Sequence, residues 1–414
     1  MNEAHTLKSP GEAPSGHRKM EWVRAHMPIL ERIRARYVQE RPLQGQRVAI
    51  SLHLEAKTAV LAELLHQGGA EVAITSSNPL TTQDDVAAAL AERGVRVHAF
   101  RGASAEEFDA LHHRVLDIEP TLIIDDGGEL TERLHTTRTS LVGRMIGGAE
   151  ETTTGVTRLK ALHRAGRLAY PMVLVNDADM KHLFDNRYGT GQSTWDGIVR
   201  STNLVVAGKT VVVAGYGWCG KGVAQRAQGL GARVIVTEVN PVRANEALMD
   251  GHQVMTMAAA APLGDYFVTV TGNYGVIRAE HFEQMKDGAI LANAGHFDVE
   301  VDVAALRRLA RAQRPGRTPD VVGYEMADGR VLWLLAEGRL VNLAAGDGHP
   351  AEIMDLTFAL QALSLEDLLQ NPRQPGVYPV DPRVDQWVAA IRLEALGIAI
   401  DTLTEAQRSY LAQE

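Results

Sequence analysis

The 414-residue chain is nearly free of cysteine, since Cys219 is its single copy. One thiol cannot form an intrachain disulfide, and few cysteines are typical of proteins in reducing compartments. No run of 18 or more apolar residues occurs, and residues 1–19 lack the apolar core of a signal peptide. These absences predict a cytoplasmic protein that does not span a membrane and that begins with a flexible leader.

Clustered positive charge is also missing. The formal net charge is -9, and no run of five basic residues occurs. Nucleic acids and anionic membranes bind clustered positive charge, so neither is expected as a partner. Lysine is scarce, with eight copies among the 42 basic residues. The lysines that fall inside polar or glycine-rich motifs, Lys57, Lys181 and Lys221, are therefore less expected to be generic surface charges.

Two common catalytic signatures are absent. The sequence has neither an HExxH string nor a cysteine cluster, so no metal is expected, and it has no GxSxG string of a serine hydrolase. What remains is ordinary for a soluble globular enzyme: 45% of the residues are hydrophobic and 22% are charged. The length is enough for two or three domains.

Strand-like and helix-like segments alternate along the first third of the chain. Apolar runs predict strands at 47–52, 71–75, 95–100 and 121–124, and helical patterns separate them. This alternation is typical of a doubly wound α/β domain. His53, Asn78 and Asp126 each follow a predicted strand, which is where ligands bind in such sheets. The first third therefore predicts a binding cleft.

A glycine loop near the middle of the chain predicts a nicotinamide cofactor. The string GYGWCGKG at 215–222 follows an apolar run at 210–214 and precedes a helical pattern at 223–229. Gly215, Gly217 and Gly220 have the spacing of a dinucleotide-binding turn, where the backbone approaches a pyrophosphate at a helix start. An apolar run predicts the next strand at 233–237, and Glu238 follows it, where an acidic residue binds the adenosine ribose of NAD.

Further strand-like runs place this loop in a second α/β unit at about 203–342, and helical patterns follow at 348–365 and from 384. We predict an α/β fold of two doubly wound parallel-sheet domains with a short C-terminal helical tail. The substrate-binding domain is expected over 1–189 and 345–380, the NAD-binding Rossmann domain over 190–344, and an oligomerisation tail over 381–414.

Three polar strings carry candidate chemistry. In KHLFDN, Lys181 and Asp185 are four apart, so on a helix they share a face. They form either a solvated ion pair or a buried pair in which a dry cleft lowers the lysine pKa enough for it to act as a base. The strings DDGGELT at 125–131 and EETTTG at 150–155 contain paired acids suited to acid–base work. The threonines at 152–154 either grip a ligand or cap a helix.

Several long motifs, in the same order, resemble the S-adenosyl-L-homocysteine hydrolase family over almost the whole chain. The matching strings are SSNPLTTQDD at 76–85, DDGGELT, EETTTGV, KHLFDN, GYGWCGKG, NAGHFD at 293–298 and GHP at 348–350. The resemblance implies one tightly bound NAD per subunit, a nucleoside thioether substrate and a homotetramer. It also implies a reaction in which the ribose 3′-hydroxyl is oxidised, homocysteine is eliminated, water adds at C5′ and the 3′-ketone is reduced again.

The resemblance implies catalytic roles for two groups of residues. Lys181 and Asp185 would handle the proton of the 3′-hydroxyl, while Asn186 and Glu151 would orient the ribose. His53 and Asp126 would manage protons at C5′ and at the leaving sulfur.

The resemblance also implies binding roles. The substrate would be contacted by Glu55, Lys57, Thr58, His296 and His349. NAD would be held by Thr152, Thr153, Thr154, Gly215, Gly217, Gly220, Glu238, Thr271, Asn273 and Asn342.

The base-reading segment departs from the family. Most members have His-x-Thr-x-Glu or Gln, whereas this chain has HLEAK at 53–57. Glu55 accepts and Lys57 donates, which we interpret as a match to hypoxanthine, whose donor and acceptor pattern is the inverse of that of adenine. The resemblance to the family as a whole implies reversible hydrolysis of S-adenosyl-L-homocysteine to homocysteine and adenosine. This interpretation makes S-inosyl-L-homocysteine the alternative substrate, as in the S-inosyl-L-homocysteine hydrolase branch. The alternative is that both residues only begin the next helix and point to solvent, and that backbone groups read adenine.

The chain end is a second departure, because it lacks the Lys- and Tyr-bearing extension that many members send into a neighbouring NAD site. Two other classes of function stay open. A net NAD-dependent dehydrogenase would explain the glycine loop but not KHLFDN or DDGGELT. A noncatalytic nucleotide-binding protein would be expected to have lost the catalytic side chains.

Overall fold

The structure, a computed structural model, describes residues 5–412. Fifteen strands form in this part of the chain. They are β1 (Arg47–Ser51), β2 (Glu71–Thr75), β3 (Arg96–Val97), β4 (Leu122–Asp125), β5 (Gly147–Glu150), β6 (Pro171–Leu174), β7 (Thr210–Ala214), β8 (Arg233–Thr237), β9 (Gln253–Val254), β10 (Tyr266–Thr269), β11 (Ile290–Asn293), β12 (Ala310–Pro315), β13 (Val321–Met326), β14 (Val331–Leu335) and β15 (Gly376–Pro379).

Helices connect these strands. They are α1 (Ala13–Arg24), α2 (Pro28–Glu40), α3 (Ala56–Gln67), α4 (Asp84–Glu92), α5 (Ala105–Leu116), α6 (Glu129–Thr136), α7 (Thr153–Arg164), α8 (Asp179–Lys181), α9 (Thr190–Thr202), α10 (Trp218–Gly229), α11 (Pro241–Met249), α12 (Met257–Ala260), α13 (Ala279–Phe282), α14 (Val303–Leu309), α15 (Val341–Ala344), α16 (Ala351–Gln370), α17 (Pro382–Ala395) and α18 (Glu405–Leu411).

The first sheet has the order β15-β6-β5-β4-β1-β2-β3, and its pairings are parallel. Alternate residues of β1 enter different cores, with Val48 and Ile50 on one face and Ala49 on the other. Because both faces are covered, the strands are apolar throughout rather than alternating with polar residues. Helices on both sides of a parallel sheet are the doubly wound arrangement.

The second sheet has the order β12-β13-β14-β11-β10-β7-β8-β9, with parallel pairing from β14 to β9 and antiparallel pairing at β12, β13 and β14. Val211 and Val213 of β7 enter one core and Val212 the opposite one. The predicted α/β fold with two doubly wound sheets is therefore confirmed, with an antiparallel addition at one edge. For the strands at 71–75, 210–214 and 233–237, the observed bounds are the same as the predicted ones.

The chain returns to the first sheet after the second is complete. Helix α16 packs on α2, α3 and β5, and β15 pairs with β6. Helix α17 also joins this half, because its Val388 and Ile391 lie in the core with α2 and α16. Within the segment predicted as a tail, 382–395 is therefore packed, and the described residues from 397 to 412 are exposed. The domain bounds themselves stay a prediction.

Three local predictions need correction. The flexible leader over 1–19 is wrong for its second part, because α1 begins at Ala13 and packs on α4; residues 1–4 lie outside the described chain. The strand expected at 95–100 is reduced to two residues. The helix expected at 223 begins at Trp218, directly after the glycine turn. Within residues 5–412, none of the helices has the length and apolar character needed to cross a membrane.

Candidate active site and cofactor site

A cavity of about 970 Å³ lies between the two sheets. The loops after β1, β4 and β5 line it from one side, and those after β7 and β8 from the other. With the exception of Gly220, every residue that the sequence assigns to catalysis, substrate or cofactor lines this cavity. Asn78 instead holds a turn, where its side chain accepts a hydrogen bond from the Leu80 N–H at 2.9 Å.

The KHLFDN segment brings the lysine and the acids together. Residues His182–Gly189 are wound as a π-helix, a form often found at functional sites. Lys181 Nζ lies 2.6 Å from Asn186 Oδ1, 3.2 Å from Asp185 Oδ2 and 3.8 Å from Glu151 Oε1. All four side chains are buried, so of the two alternatives the solvated ion pair is wrong and the buried pair is right.

The electrostatics of this cluster differ from the prediction. Burial acts to lower the Lys181 pKa, but the carboxylates of Asp185 and Glu151 outweigh it, and the pKa is raised. Burial acts to raise the Asp185 pKa, but Lys181 and His349 hold it well below its usual range. The expected lowering of the lysine pKa in a dry cleft is therefore wrong for the free protein, because the cleft holds two carboxylates as well as the lysine.

Burial raises the pKa of Glu151 to about 8, with Lys181 opposing and Asp185 adding to the rise. Gln361 Nε2 donates to Glu151 Oε2 at 2.5 Å, and Thr357 Oγ1 donates to Asp185 Oδ2 at 2.7 Å. The sequence interpretation missed both donors. Their signal is the spacing of four within the apolar helix α16, which puts two buried polar side chains on one face.

His349 completes the support of Asp185. Its Nδ1 lies 2.5 Å from Asp185 Oδ1, and its Nε2 lies 3.3 Å from Asn342 Nδ2. Asn342 Oδ1 is buried and has no hydrogen-bond partner among residues 5–412. Buried polar atoms are nearly always paired, so this oxygen is suited to accept a hydrogen bond from a ligand.

A second cluster forms where β1 and β4 end. Asp126 lies between two histidines, 3.2 Å from His53 Nε2 and 3.7 Å from His296 Nδ1. Ser77 Oγ donates to Asp126 Oδ2, and His53 Nδ1 bonds with Thr81 Oγ1 at 2.9 Å. Burial lowers the His53 pKa to about 4, although Asp126 opposes the shift. His53 is therefore neutral near pH 7 and can accept a proton.

The same three side chains offer ligand atoms within 4.8 Å of one another, which is a spacing that a metal ion could use. Two of them, His53 and Asp126, are also the residues to which the resemblance assigns proton transfer at C5′. The expectation that the reaction uses no metal stays a prediction.

Glu55 and Lys57 begin helix α3, as the alternative interpretation expected, but both are buried and line the cavity instead of pointing to solvent. Lys57 Nζ lies 2.6 Å from Glu55 Oε2 and donates to the Asp347 carbonyl at 2.8 Å. Thr58 contributes its N–H and its hydroxyl to Glu55 Oε1, each at 3.3 Å. The pair is therefore held in place at the cavity wall.

The threonines of EETTTG both cap a helix and line the cavity. Thr152 Oγ1 accepts from the Gly155 N–H at 3.1 Å, while Thr152, Thr153 and Thr154 all face the cavity. Behind them, Glu150 Oε1 accepts from the N–H groups of Gly127 and Thr152, each at 2.9 Å. This buried carboxyl joins the loop of Asp126 to the loop of Glu151.

The glycine loop fits the pyrophosphate of a dinucleotide. Gly215 has φ +103°, which a side chain would strain. A Cβ at Gly217 would project into the cavity and meet only Arg243, at 3.7 Å. A Cβ at Gly220 would lie 2.0 Å from the Gly215 carbonyl oxygen, so this glycine lets helix and strand approach. These are the three glycine roles of a dinucleotide-binding turn.

The remaining predicted cofactor residues surround this loop. Glu238 accepts from the N–H groups of Tyr216, Val239 and Asn240 at 2.7, 2.7 and 2.9 Å. Thr271 Oγ1 donates to Glu300 Oε2 at 2.6 Å and accepts from the Asn273 N–H at 3.0 Å. The acid and the turn are thus fixed by the backbone before any ligand binds, which is the preorganisation that a tightly bound cofactor needs.

Comparison with known proteins agrees with this geometry. The family model described as S-adenosyl-L-homocysteine hydrolase matches residues 4–143, and that of its NAD-binding domain matches residues 186–348. The S-inosyl-L-homocysteine hydrolase of Methanopyrus kandleri is 56% identical over 98% of this chain and 96% of its own length.

Two relatives carry the other name. The adenosylhomocysteinase of Pyrococcus abyssi is 54% identical, over 98% of this chain and 97% of its own length. That of Thermotoga maritima is 55% identical, over 96% and 98%. The chain therefore belongs to the S-adenosyl-L-homocysteine hydrolase family, as an enzyme whose cofactor is NAD.

Proposed function

We propose that this enzyme hydrolyses the thioether bond of S-adenosyl- or S-inosyl-L-homocysteine to homocysteine and the free nucleoside, through a 3′-keto intermediate and without net redox change. The observation that carries the proposal is that the Lys181 cluster and the glycine loop open onto one cavity. A proton acceptor and a hydride acceptor are thereby available to the same alcohol.

The glycine loop and Glu238 would hold NAD, which would supply the acceptor for the hydride of ribose C3′ and the donor that restores it. Lys181 would accept the 3′-hydroxyl proton, which requires that it first lose its own. Asp185 and Glu151 raise its pKa in the free enzyme. We propose that Glu151 turns to a ribose hydroxyl when substrate binds, so that one of these carboxylates no longer faces the lysine and its pKa falls.

The steps at C5′ would use the second cluster. The 3′-ketone would acidify the C4′ proton. A base would take this proton, which expels homocysteine as a thiolate, and would return it to C4′ when water adds at C5′. The pair of His53 and Asp126 would take the proton that this water loses and give it to the sulfur, so the pair ends each turnover unchanged. A neutral His53 suits the first of these transfers, because burial keeps its pKa at about 4.

The competing hypothesis is a net dehydrogenase, and it is tested by stoichiometry. The purified holoenzyme is given S-adenosyl-L-homocysteine and S-inosyl-L-homocysteine in separate assays, while thiol and NADH are followed together. The hydrolase releases thiol over many turnovers with no build-up of NADH. Accumulation of NADH in proportion to the product would contradict the proposal, and so would the absence of thiol from both substrates.

For the base, we propose a preference for hypoxanthine, and thus for S-inosyl-L-homocysteine. The four acceptor positions of Glu55 are occupied by Lys57 and Thr58, whereas Lys57 has one N–H left over. An ammonium that faces position 6 meets the carbonyl oxygen of hypoxanthine, but meets the amino hydrogens of adenine, donor against donor. The relatives carry both names at nearly equal identity, so overall identity does not separate the substrates.

A Lys57→Gln variant tests this preference. An amide can turn its oxygen towards the adenine amino group, so the ratio of kcat/KM for the inosyl over the adenosyl substrate should fall about tenfold or more, as for a buried donor left unpaired. Lys160→Gln removes a lysine from an exposed ion pair with Asp177 and should leave the ratio unchanged. An adenosyl preference in the unmodified enzyme, or an unmoved ratio in Lys57→Gln, would contradict the proposal.

We also propose a homotetramer in the cytoplasm, assembled through the C-terminal segment. Apolar side chains are exposed along it, at Leu396, Ile398, Ile400, Leu403 and Leu411. Such patches are typical of interfaces. Removal of residues 397–414 should convert a tetramer into smaller species in light scattering, whereas a wild-type monomer would contradict the proposal.

A further inference from the structure

Five lysine and arginine side chains line the cavity, and four of them have a carboxylate within 4.0 Å. The paired cations are Lys57 with Glu55, Arg158 with Glu129, Lys181 with Asp185, and Arg278 with Glu280. The fifth is Arg243. Its guanidinium has no salt-bridge partner within residues 5–412, so its charge remains available to a ligand.

Arg243 lies over the glycine loop. If Gly217 carried a Cβ, the nearest atoms to it would be Arg243 Nη1 at 3.7 Å and Cζ at 4.0 Å. Gly217 is the second glycine of the turn, the one that gives the pyrophosphate close access to the backbone. The guanidinium therefore borders the space that this anionic group occupies.

Local structure explains how the side chain reaches this place. Asn240 caps helix α11 by accepting from the N–H groups of Val242 and Arg243. Side chains in a first helical turn point back towards the helix start, and α11 starts just after Glu238, at the edge of the cavity. The cap thus aims Arg243 at the glycine loop.

The glycine loop itself supplies the second half of an anion site. Helix α10 is 12 residues long, begins directly after Gly217, and has no side chain that caps its first N–H groups. These N–H groups and the partial positive charge of the helix start attract a phosphate. Opposite them, Arg243 adds a full charge that can bind two phosphate oxygens at once.

We propose that Arg243 is a phosphate-binding residue of the cofactor site, which clamps the NAD pyrophosphate against the N-terminus of α10. The inference rests on NAD as the cofactor and not on the proposed thioether chemistry.

The test measures how the full-length holoenzyme retains NAD. Arg243→Ala should speed NAD release into a large excess of unloaded buffer about tenfold to a hundredfold, the effect of losing a charge-assisted hydrogen-bond pair. Arg243→Lys should restore part of the retention, and Arg243→Glu should lose more than Arg243→Ala. The matched control is Arg226→Ala, which removes an exposed cation on the outer face of α10.

Competing ligands separate phosphate binding from a merely structural role. The inhibition constant of ADP as a competitor of NAD should rise about tenfold or more in Arg243→Ala, while the inhibition constant of adenosine should be unchanged. Unaltered NAD release in Arg243→Ala would overturn the proposal, as would equal losses for ADP and adenosine. Weaker binding of NADP alone, with NAD unaffected, would assign the guanidinium to a ribose 2′-phosphate and would overturn it too.

Discussion

The two sides of the cavity are lined by different kinds of chemical groups. Around the first sheet, the wall consists of ionisable side chains such as Lys181, Asp185 and Glu151, buried beside one another so that their pKa values shift. Around the second sheet, the turn at Gly215 and Gly217 presents backbone N–H groups at the start of helix α10, and Glu238 and Arg243 lie beside it. In the proposed function, one half moves protons and the other holds the cofactor in place.

This difference has a physical basis. Proton transfer needs groups whose charge can change, and their pKa values depend on neighbours a few ångströms away. A cofactor that stays bound needs the opposite, namely fixed dipoles that do not titrate. The substrate half should therefore be sensitive to substitutions that preserve shape but alter charge, and the cofactor half to those that add volume without charge.

Lys181→Met should have the largest effect, and it tests whether activity and NAD binding depend on different halves of the cavity. It preserves the approximate volume and removes the proton-transferring group, so kcat should fall by roughly 10²-fold to 10⁴-fold. Bound NAD should remain close to one per chain, measured by absorbance after gel filtration. Lys160→Met is the control, because Lys160 belongs to a half-exposed ion pair. An equal loss of bound NAD and of activity in Lys181→Met would contradict this division of roles between the two halves.

Gly217→Val tests the other half. The added side chain enters the cavity, where it meets only Arg243, so the fold should persist while NAD retention falls tenfold or more, about 1.4 kcal/mol. A Cβ at Gly229 meets nothing within 4 Å, so Gly229→Ala serves as the control. Normal NAD content in Gly217→Val, with an unchanged thermal midpoint in both variants, would contradict the assigned role of the loop.

Thr357→Val tests the hydrogen bond that supports Asp185 in the substrate half. It removes the hydroxyl that donates to Asp185 while keeping the shape of the side chain. The expected loss is about 1 kcal/mol, or roughly fivefold in kcat, with the acidic limb of the pH–rate profile moved to higher pH because the Asp185 carboxylate has lost a donor. Thr357→Ser should restore both. A changed KM with an unmoved profile would assign Thr357 to packing alone.

The last prediction concerns stability rather than catalysis. Burial lowers the pKa values of His53, His98 and His112, all in the first-sheet half, to about 4 from 6.5. Between these values the unfolded chain binds more protons than the folded chain, so stability falls as the pH falls through this window, by roughly 1.4 kcal/mol per pH unit for each histidine.

His112→Asn should remove about one of these three proton equivalents and make denaturant-derived stability less steep between pH 6.5 and pH 5. The neighbouring His113 is part-exposed, and His113→Asn should leave the slope unchanged. An unaltered slope in His112→Asn would show that this buried histidine does not contribute in the way its burial predicts.

The sequence was most informative where chemistry leaves a short pattern. The glycine spacing, with Glu238 after the next strand, predicted a cofactor turn whose three glycines have the expected roles in the structure. Buried parallel strands are continuous apolar runs, which is why 71–75, 210–214 and 233–237 were predicted with their observed bounds.

The sequence was least informative where partners come from distant segments. Thr357 and Gln361 lie more than 170 residues from the acids to which they donate, and no local pattern links them. The direction of the Lys181 pKa shift was wrong for the same reason: burial could be inferred from the sequence, but the closeness of Glu151 could not. Asp385, in the segment predicted as a tail, accepts from the N–H groups of Asp179 and Met180, next to Lys181.

The late return of the chain to the first sheet determines the order in which the protein can assemble during synthesis. By the time the ribosome has released Leu335, all strands of the second sheet are available, and the glycine turn can form. The first sheet still lacks its edge strand, and the lysine cluster lacks Thr357 and Gln361. A nascent chain can therefore complete the support for its cofactor before it completes the site that consumes substrate.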